Sequence, residues 1–238
     1  MKALEEVMRR IPASTDLVVL PEMFSSGFTM APQAVAEAPG GAVHQWLQSL
    51  SATLGFAICG SIAVQDKGQY YNRFLWAEGG RLKQVYDKRH LFRMAGEHKV
   101  YSPGKGHGLI VFKGWRIAPF VCYDLRFPIW CRSGDAAHLQ LYVANWPAAR
   151  VDAWDKLLMA RAIENLCYVA GVNRVGEDGK AIAYSGHSAV IDFKGNAIAQ
   201  AVEHQEEVLL VRLSMPKLKE FRRKFPAHLD ADPFEIVL

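Results

Sequence analysis

Three reactive side chains recur in one kind of place along this sequence. Glu22 follows the apolar run Leu17-Val18-Val19-Leu20 and Pro21, Lys88 follows Val85-Tyr86-Asp87, and Cys122 follows the run from Ile117 to Val121. Each lies just past the carboxyl end of an expected strand, where clefts form in α/β sheets. An acid, an amine and a thiol at one cleft are the parts of a nucleophilic hydrolase. A thiol with a pKa near ~8.5 needs a base or a cation beside it. Glu22 could take its proton, and Lys88 could lower its pKa and hold a negative oxygen. Taken singly, Glu22 also reads as a loop carboxylate and Lys88 as a solvated charge in Asp87-Lys88-Arg89-His90. Their joint placement is what favours chemistry.

Among the four cysteines, Cys122 is the best nucleophile candidate. Cys59 lies inside Phe56–Val64 and Cys167 borders Tyr168–Val172, so both read as small core hydrophobes. Cys131 has no distinctive flank. Cys122 leads into Tyr-Asp-Leu-Arg-Phe-Pro, an abrupt change from apolar to polar. A sharp strand-to-loop elbow there would expose the sulfur and aim the Tyr123 backbone N–H at an oxyanion. A buried structural thiol is the competing reading. A Cys–His dyad with His90, His138 or His187 also stays open on pattern alone, although no papain or caspase signature is present.

The elements that must position these groups can be read from periodicity. Lys2–Ile11, Val43–Leu54 and Asp152–Leu166 carry apolar residues at helical spacing. Strands are expected at Leu17–Leu20, Phe56–Val64, Leu139–Ala144, Tyr168–Val172, Ser188–Phe193 and Val208–Leu213. Hairpins are expected for Tyr70–Ala77 with Arg81–Tyr86, around Gly79-Gly80, and for Leu109–Phe112 with Trp115–Val121. Strands alternating with helices, plus hairpins, predict an α/β fold of mixed sheets with outer helices. With no repeat, linker or low-complexity stretch, residues 1–238 read as a single domain.

Composition narrows the function classes. Of 238 residues, 50% are hydrophobic and 22% charged, which excludes intrinsic disorder. No apolar run is long enough for a membrane span, and the first residues lack the apolar core of a secretory signal. A cytoplasmic, reducing setting with free thiols is therefore expected. The net charge of +4 is matched by one segment, where Lys217, Lys219, Arg222, Arg223 and Lys224 face only Glu220. Leu218, Phe221 and Phe225 recur there at helical spacing, so an amphipathic surface helix with a solvated basic side is expected. Nucleic-acid binding has no support, because a basic face would be broader. There is no HExxH, no zinc-type Cys/His cluster and no GxSxG, and Gly104–Gly108 reads as a flexible turn.

Taken together, PEMFSSGF around Glu22, YDKRHLF around Lys88 and CYDLRFP around Cys122 resemble the nitrilase superfamily of carbon–nitrogen hydrolases. EHKVYSPG, ANWP, RAIENLCYVAGVNRVG and GHSAVIDFKGNAIA follow in the same order over nearly the whole chain. The sequence looks closest to the bacterial ω-amidase branch, acting on 2-oxoglutaramate and 2-oxosuccinamate. The resemblance implies an α-β-β-α sandwich that dimerises by stacking, and a Glu-Lys-Cys triad with no metal or cofactor. Glu22 would be the general base, Lys88 the cationic stabiliser and proton donor, and Cys122 the nucleophile. Glu97 matches a second acid that positions the triad and takes part in proton transfer; by itself it reads as a loop carboxylate. Family chains open with a strand ahead of the position of Met1, so the first family strand is expected to be missing here.

The reaction expected is amide hydrolysis through a thioester, with water as co-substrate and ammonia released. The substrate is expected to be a small 2-oxo dicarboxylate monoamide. Its free carboxylate needs a cation, for which Arg126 and Arg174 are candidates against structural salt bridges. Tyr123, Asn145, Trp146 and Phe28 are candidate pocket residues, although core packing also accounts for Trp146 and Phe28. The rivals are a nitrilase, an N-carbamoyl hydrolase, an aliphatic amidase, or a non-catalytic scaffold relative. A homodimer is expected, with no nucleic-acid or membrane partner.

Overall fold

The computed structural model describes residues 1–133 and 136–237. The chain falls into two compact units, residues 1–106 and 107–238.

The first unit opens with α1 (Lys2–Arg9) and β1 (Leu17–Val19), followed by α2 (Ala42–Leu54), β2 (Ala57–Asp66), β3 (Gln69–Glu78) and β4 (Arg81–Asp87). The four strands form one sheet in the order β1-β2-β3-β4. β1 runs parallel to β2, with Leu17 opposite Ala57, and the other pairs are antiparallel. The unbroken apolar character of β2 follows from its place inside the sheet, where its first eight residues are all buried. The β3–β4 hairpin turns on Gly79 and Gly80, both at positive φ (54° and 77°). Two successive positive φ values are what a tight two-residue hairpin needs, and glycine adopts them without steric cost. Met8 of α1 joins Leu47 and Leu50 of α2 in a core with Ile58, Ile62, Val64 and Leu75. Trp46 Nε1 donates to Glu5 at 3.2 Å, so α1 takes α2 as a neighbour.

The second unit contains β5 (Ile110–Phe112), β6 (Trp115–Val121), α3 (Pro128–Cys131), β7 (Leu139–Ala144), α4 (Val151–Asn165) and β8 (Tyr168–Asn173). It continues with β9 (Val175–Glu177), β10 (Ala183–Ser185), β11 (Ala189–Ile191), β12 (Ala197–Gln200) and α5 (Met215–Lys224). Six strands form a mixed sheet in the order β12-β11-β8-β7-β6-β5, and β9 and β10 form a separate antiparallel pair. β6, β7 and β8 are parallel to one another; the flanking strands are antiparallel. The carboxyl ends of β6 and β7 therefore point the same way, toward Cys122 and Asn145. The expected α/β class with mixed sheets and helices is the one observed.

Two expectations are corrected. Val208–Leu213 forms no strand. Its apolar residues suit a sheet, but it meets no ladder partner, and Val208 and Leu210 are 47% and 59% exposed. Propensity alone does not hold a strand. The basic side of α5 is not wholly solvated either. Arg222 is buried and donates to Leu166 O at 2.8 Å and Ala137 O at 2.5 Å. The first of these carbonyls caps the end of α4, where Leu166 turns left-handed at φ 47° and leaves acceptors open, and the second lies just before β7. Among the described residues, no helix is long and apolar enough to cross a membrane.

Candidate active site

In the first unit, Glu22, Lys88 and Glu97 meet in a buried cluster. The three residues are 1%, 0% and 0% exposed. Lys88 Nζ lies 2.9 Å from Glu22 Oε1, 3.1 Å from Glu97 Oε1 and 3.0 Å from Glu97 Oε2. A buried ammonium is tolerable only when paired, and here it is paired twice. Phe28 closes another side, its ring centre 5.3 Å from Lys88 Nζ.

The backbone explains how these groups are held. Glu22 sits past β1, where Met23 takes a left-handed φ of 45° and donates its N–H to buried Ser61 Oγ at 3.1 Å. Lys88 follows β4 directly. Its own N–H bonds Asn72 O at 2.9 Å, and its carbonyl accepts from Gly104 N–H at 2.9 Å. A Cβ on Gly104 would lie 2.0 Å from Asp87 O, so only glycine lets this segment cross beside Lys88. Glu97 opens a short turn, Glu97–Lys99, and accepts from Phe92 N–H at 2.6 Å.

Burial pushes the Glu97 carboxyl above the usual range. The Glu22 charge adds to the effect, and the Lys88 ammonium and Phe92 N–H only partly offset it. The cluster thus has a carboxyl biased toward holding a proton beside a carboxylate and an ammonium. The Tyr101 phenol is also pushed up, first by burial and then by the Glu97 and Glu22 charges, so it stays neutral.

In the second unit, Cys122 begins a tight turn, Cys122–Arg126, immediately after β6. Its φ is 46°, a left-handed value that costs a non-glycine residue about 1–3 kcal/mol. Such strain persists only where the surroundings enforce it, and here they do. Asp124 Oδ2 accepts the Val121 N–H at 3.1 Å. Buried Arg161 donates to Leu125 O through Nε at 3.1 Å and Nη2 at 2.7 Å. Cys122 Sγ lies 4.0 Å from Asn145 O. Cys122 is part-exposed, whereas Cys59, Cys131 and Cys167 are buried. Burial drives those three thiols up, Cys167 to about 12, so none is a thiolate at neutral pH.

Around Cys122 the second unit also gathers Tyr123, Arg126, Asn145 and Trp146. Tyr123 packs edge-on to Phe127, with centroids 5.2 Å apart. Asn145 and Trp146 follow β7 and are 6% and 3% exposed. Arg126 is exposed, with its guanidinium 5.0 Å above the Trp146 ring. Arg174 is engaged elsewhere: it stacks 4.7 Å over Tyr184 and donates to Val175 O and Glu177 O, which is a structural use. Among the described residues, no group of three or more His, Cys, Asp or Glu could hold a metal ion.

Sequence reasoning missed Asn72, Asp124 and Arg161. Asn72 Nδ2 donates to Glu22 Oε1 at 2.7 Å. The available signal was a polar residue set inside an apolar stripe. Arg161 shares the buried face of α4 with Trp154, Leu158 and Ala162.

A carbon–nitrogen hydrolase family model matches residues 1–223. The Escherichia coli (strain K12) omega-amidase YafV is 49% identical over 221 residues, covering 93% of this chain and 86% of that protein. The 2-oxoglutaramate amidase of Bacillus subtilis (strain 168) is 32% identical over 235 residues, covering 97% and 90%. XC1258 from Xanthomonas campestris, a CN-hydrolase superfamily protein solved with an arsenic adduct in its active site, superposes with a TM-score of 0.94. It is 45% identical and covers 99% of this chain and 92% of its own.

Proposed function

The chain belongs to the carbon–nitrogen hydrolase family, and we propose that it is an ω-amidase cleaving the terminal amide of small 2-oxo dicarboxylate monoamides to the acid and ammonia. The observation that carries this reading is the buried Glu22–Lys88–Glu97 cluster, whose ammonium is held between two carboxylates. Core packing alone gives no reason to bury three ionisable groups together, whereas proton-transfer chemistry does. Relatives named as an omega-amidase and a 2-oxoglutaramate amidase support the substrate class.

In this scheme residues 1–238 act as one catalytic domain. Glu22 takes the Cys122 proton as sulfur attacks the amide carbon. Lys88 and the Tyr123 backbone N–H hold the tetrahedral oxyanion. As the carbon–nitrogen bond breaks, the proton passes to the leaving nitrogen, and ammonia departs from a Cys122 thioester. Glu22 then draws a proton from water, which adds to the thioester and releases the acid and the thiol. Glu97, biased toward its protonated form, orients Lys88 and buffers the transfer. Phe28, Asn145 and Trp146 line the substrate's path, and Arg126 takes its distant carboxylate. The protein works as a homodimer in the cytoplasm and needs no cofactor.

Ammonia release from a substrate panel tests the reading. 2-Oxoglutaramate is expected to outperform an uncharged aliphatic amide, an aliphatic nitrile and an N-carbamoyl amino acid. Equal rates on the nitrile would overturn the branch assignment. A Cys122→Ala protein that still released ammonia at an appreciable fraction of the native rate would refute the thioester.

A further inference from the structure

The peptide joining Asn145 to Trp146 is engaged on both sides. Its carbonyl oxygen, from Asn145, lies 4.0 Å from Cys122 Sγ. Its N–H, from Trp146, donates to Asn173 Oδ1 at 2.7 Å. A trans peptide holds its C=O and N–H antiparallel in one plane, and no cis bond occurs among the described residues. Whatever fixes the Trp146 N–H therefore also fixes where the Asn145 carbonyl points.

Asn173 is well placed to do this. Its Nδ2 donates to Trp146 O at 3.0 Å and to Gly186 O at 2.7 Å. One side chain thus pairs with both backbone groups of Trp146, as a neighbouring strand would. The partners also settle the amide's orientation, since a flipped amide would face two carbonyls with oxygen and an N–H with nitrogen. Asn173 is buried, at 7% exposure. It ends β8 opposite Ala144, the last residue of β7. Ser188 Oγ accepts its N–H at 3.0 Å and donates to its carbonyl at 3.1 Å. The clamp therefore stands on a paired strand end and not on a free loop.

We propose that Asn173 is a positioning residue for the hydrolysis, fixing the plane of the Asn145–Trp146 peptide so that the Asn145 carbonyl faces the Cys122 sulfur. The inference rests on the reading of Cys122 as nucleophile. A carbonyl oxygen aimed at sulfur accepts the S–H and sets its direction, and its partial negative charge opposes a resting thiolate. The thiol then stays protonated until the base removes its proton. With the clamp gone the carbonyl is free to turn, the thiolate forms more readily, and the sulfur loses its aim.

The test follows alkylation of Cys122 by iodoacetamide across pH, with peptide mapping, alongside ammonia release. Asn173→Leu removes all three side-chain bonds at similar volume. Its alkylation midpoint is expected to fall by roughly half a pH unit or more, and its kcat by about tenfold or more. Arg222→Met serves as the control, because it removes buried side-chain bonds to Leu166 O and Ala137 O in the same unit and touches neither Asn173 nor the Trp146 peptide; its midpoint is expected to match the native one. Asn173→Ser, where water can stand in for the lost groups, is expected to move the midpoint the same way and keeps the test decisive if the leucine variant does not fold. An unchanged midpoint in either folded Asn173 variant, with Cys122 still reactive, overturns the clamp. An equal shift in Arg222→Met at the same loss of melting temperature also overturns it. A native protein whose Cys122 is not alkylated at any pH overturns the nucleophile reading and the clamp with it.

Discussion

Asn72 and Lys88 converge on the same oxygen: Glu22 Oε1 accepts from Asn72 Nδ2 at 2.7 Å and from Lys88 Nζ at 2.9 Å. Asn72 also supplies the carbonyl that takes the Lys88 backbone N–H. A neutral donor and a cation thus share one carboxyl oxygen in a buried site. Hydrogen bonds to a charged form favour that form. Asn72→Ala removes one of them and leaves the Lys88 bond to Glu22 Oε1 in place. kcat/KM is expected to fall by about tenfold at neutral pH with the fold intact. An unchanged kcat/KM would separate Asn72 from the base.

Lys88 balances charge in the buried cluster, and its proposed catalytic role is separable from that. Removing one partner of a buried pair costs about 3–5 kcal/mol, because the remaining charge has no compensation. In Lys88→Met two carboxylates face each other in the cluster. One of them should hold a proton in the folded protein that it does not hold unfolded at neutral pH. A folded state that binds extra protons loses stability as pH rises. The melting temperature of the variant is therefore expected to fall more steeply than the native one between about pH 5 and 8. Turnover should drop at least ~100-fold at any pH where the variant is folded, as expected for loss of an oxyanion donor.

For Glu97 the raised carboxyl has a definite consequence for stability. Its folded pKa lies above its unfolded one, chiefly through burial. The native protein therefore loses stability as pH rises from about 4.3, the ordinary glutamate value, up through the folded value. Glu97→Gln keeps an acceptor for the Phe92 N–H but has no proton to lose. The difference in melting temperature between variant and native protein should move in the variant's favour as pH rises over that window. Thermal melts at pH 4 and pH 7 read this directly. Activity is expected to fall by about 100-fold if Glu97 shares in proton transfer.

How much of this was legible depends on where each residue's signal lies. Glu22, Lys88 and Cys122 each follow an expected strand, and at Cys122 the apolar run also switches abruptly to polar residues. Glu97 marks no switch. It lies in a short turn, and only the family resemblance singled it out. Asn72 and Arg161 were hidden because a periodic apolar pattern is read by averaging, so a polar residue on the buried face counts as noise. Arg222 was misread for a related reason: a cation in a basic run looks solvated until the backbone carbonyls that need it, Leu166 O and Ala137 O, are in view. The hairpin at Gly79-Gly80 was readable because its turn chemistry is local. Val208–Leu213 was not, because strand formation depends on a partner that the segment itself does not encode.

Arg126 is the residue on which substrate choice is expected to turn. It closes the turn that Cys122 opens, and its guanidinium lies 5.0 Å above the Trp146 ring. That ring is itself fixed: Trp146 Nε1 donates to Arg150 O at 2.8 Å, and its centroid is 5.5 Å from that of Trp154. A stacked guanidinium keeps its edge free for a carboxylate, so the arrangement suits a substrate with an anionic far end. Arg126→Ala is expected to raise KM for 2-oxoglutaramate by about tenfold, a modest figure because the side chain is exposed and its pairing is screened. kcat should change little, since the carboxylate is bound equally in ground and transition states. Arg126→Lys should restore only part of the loss, because an ammonium lacks the planar fork and the stack. Kinetics on an uncharged amide complete the test: there Arg126→Ala should have no effect, and an equal loss on both substrates would assign Arg126 to packing against Trp146 and leave the carboxylate to another cation.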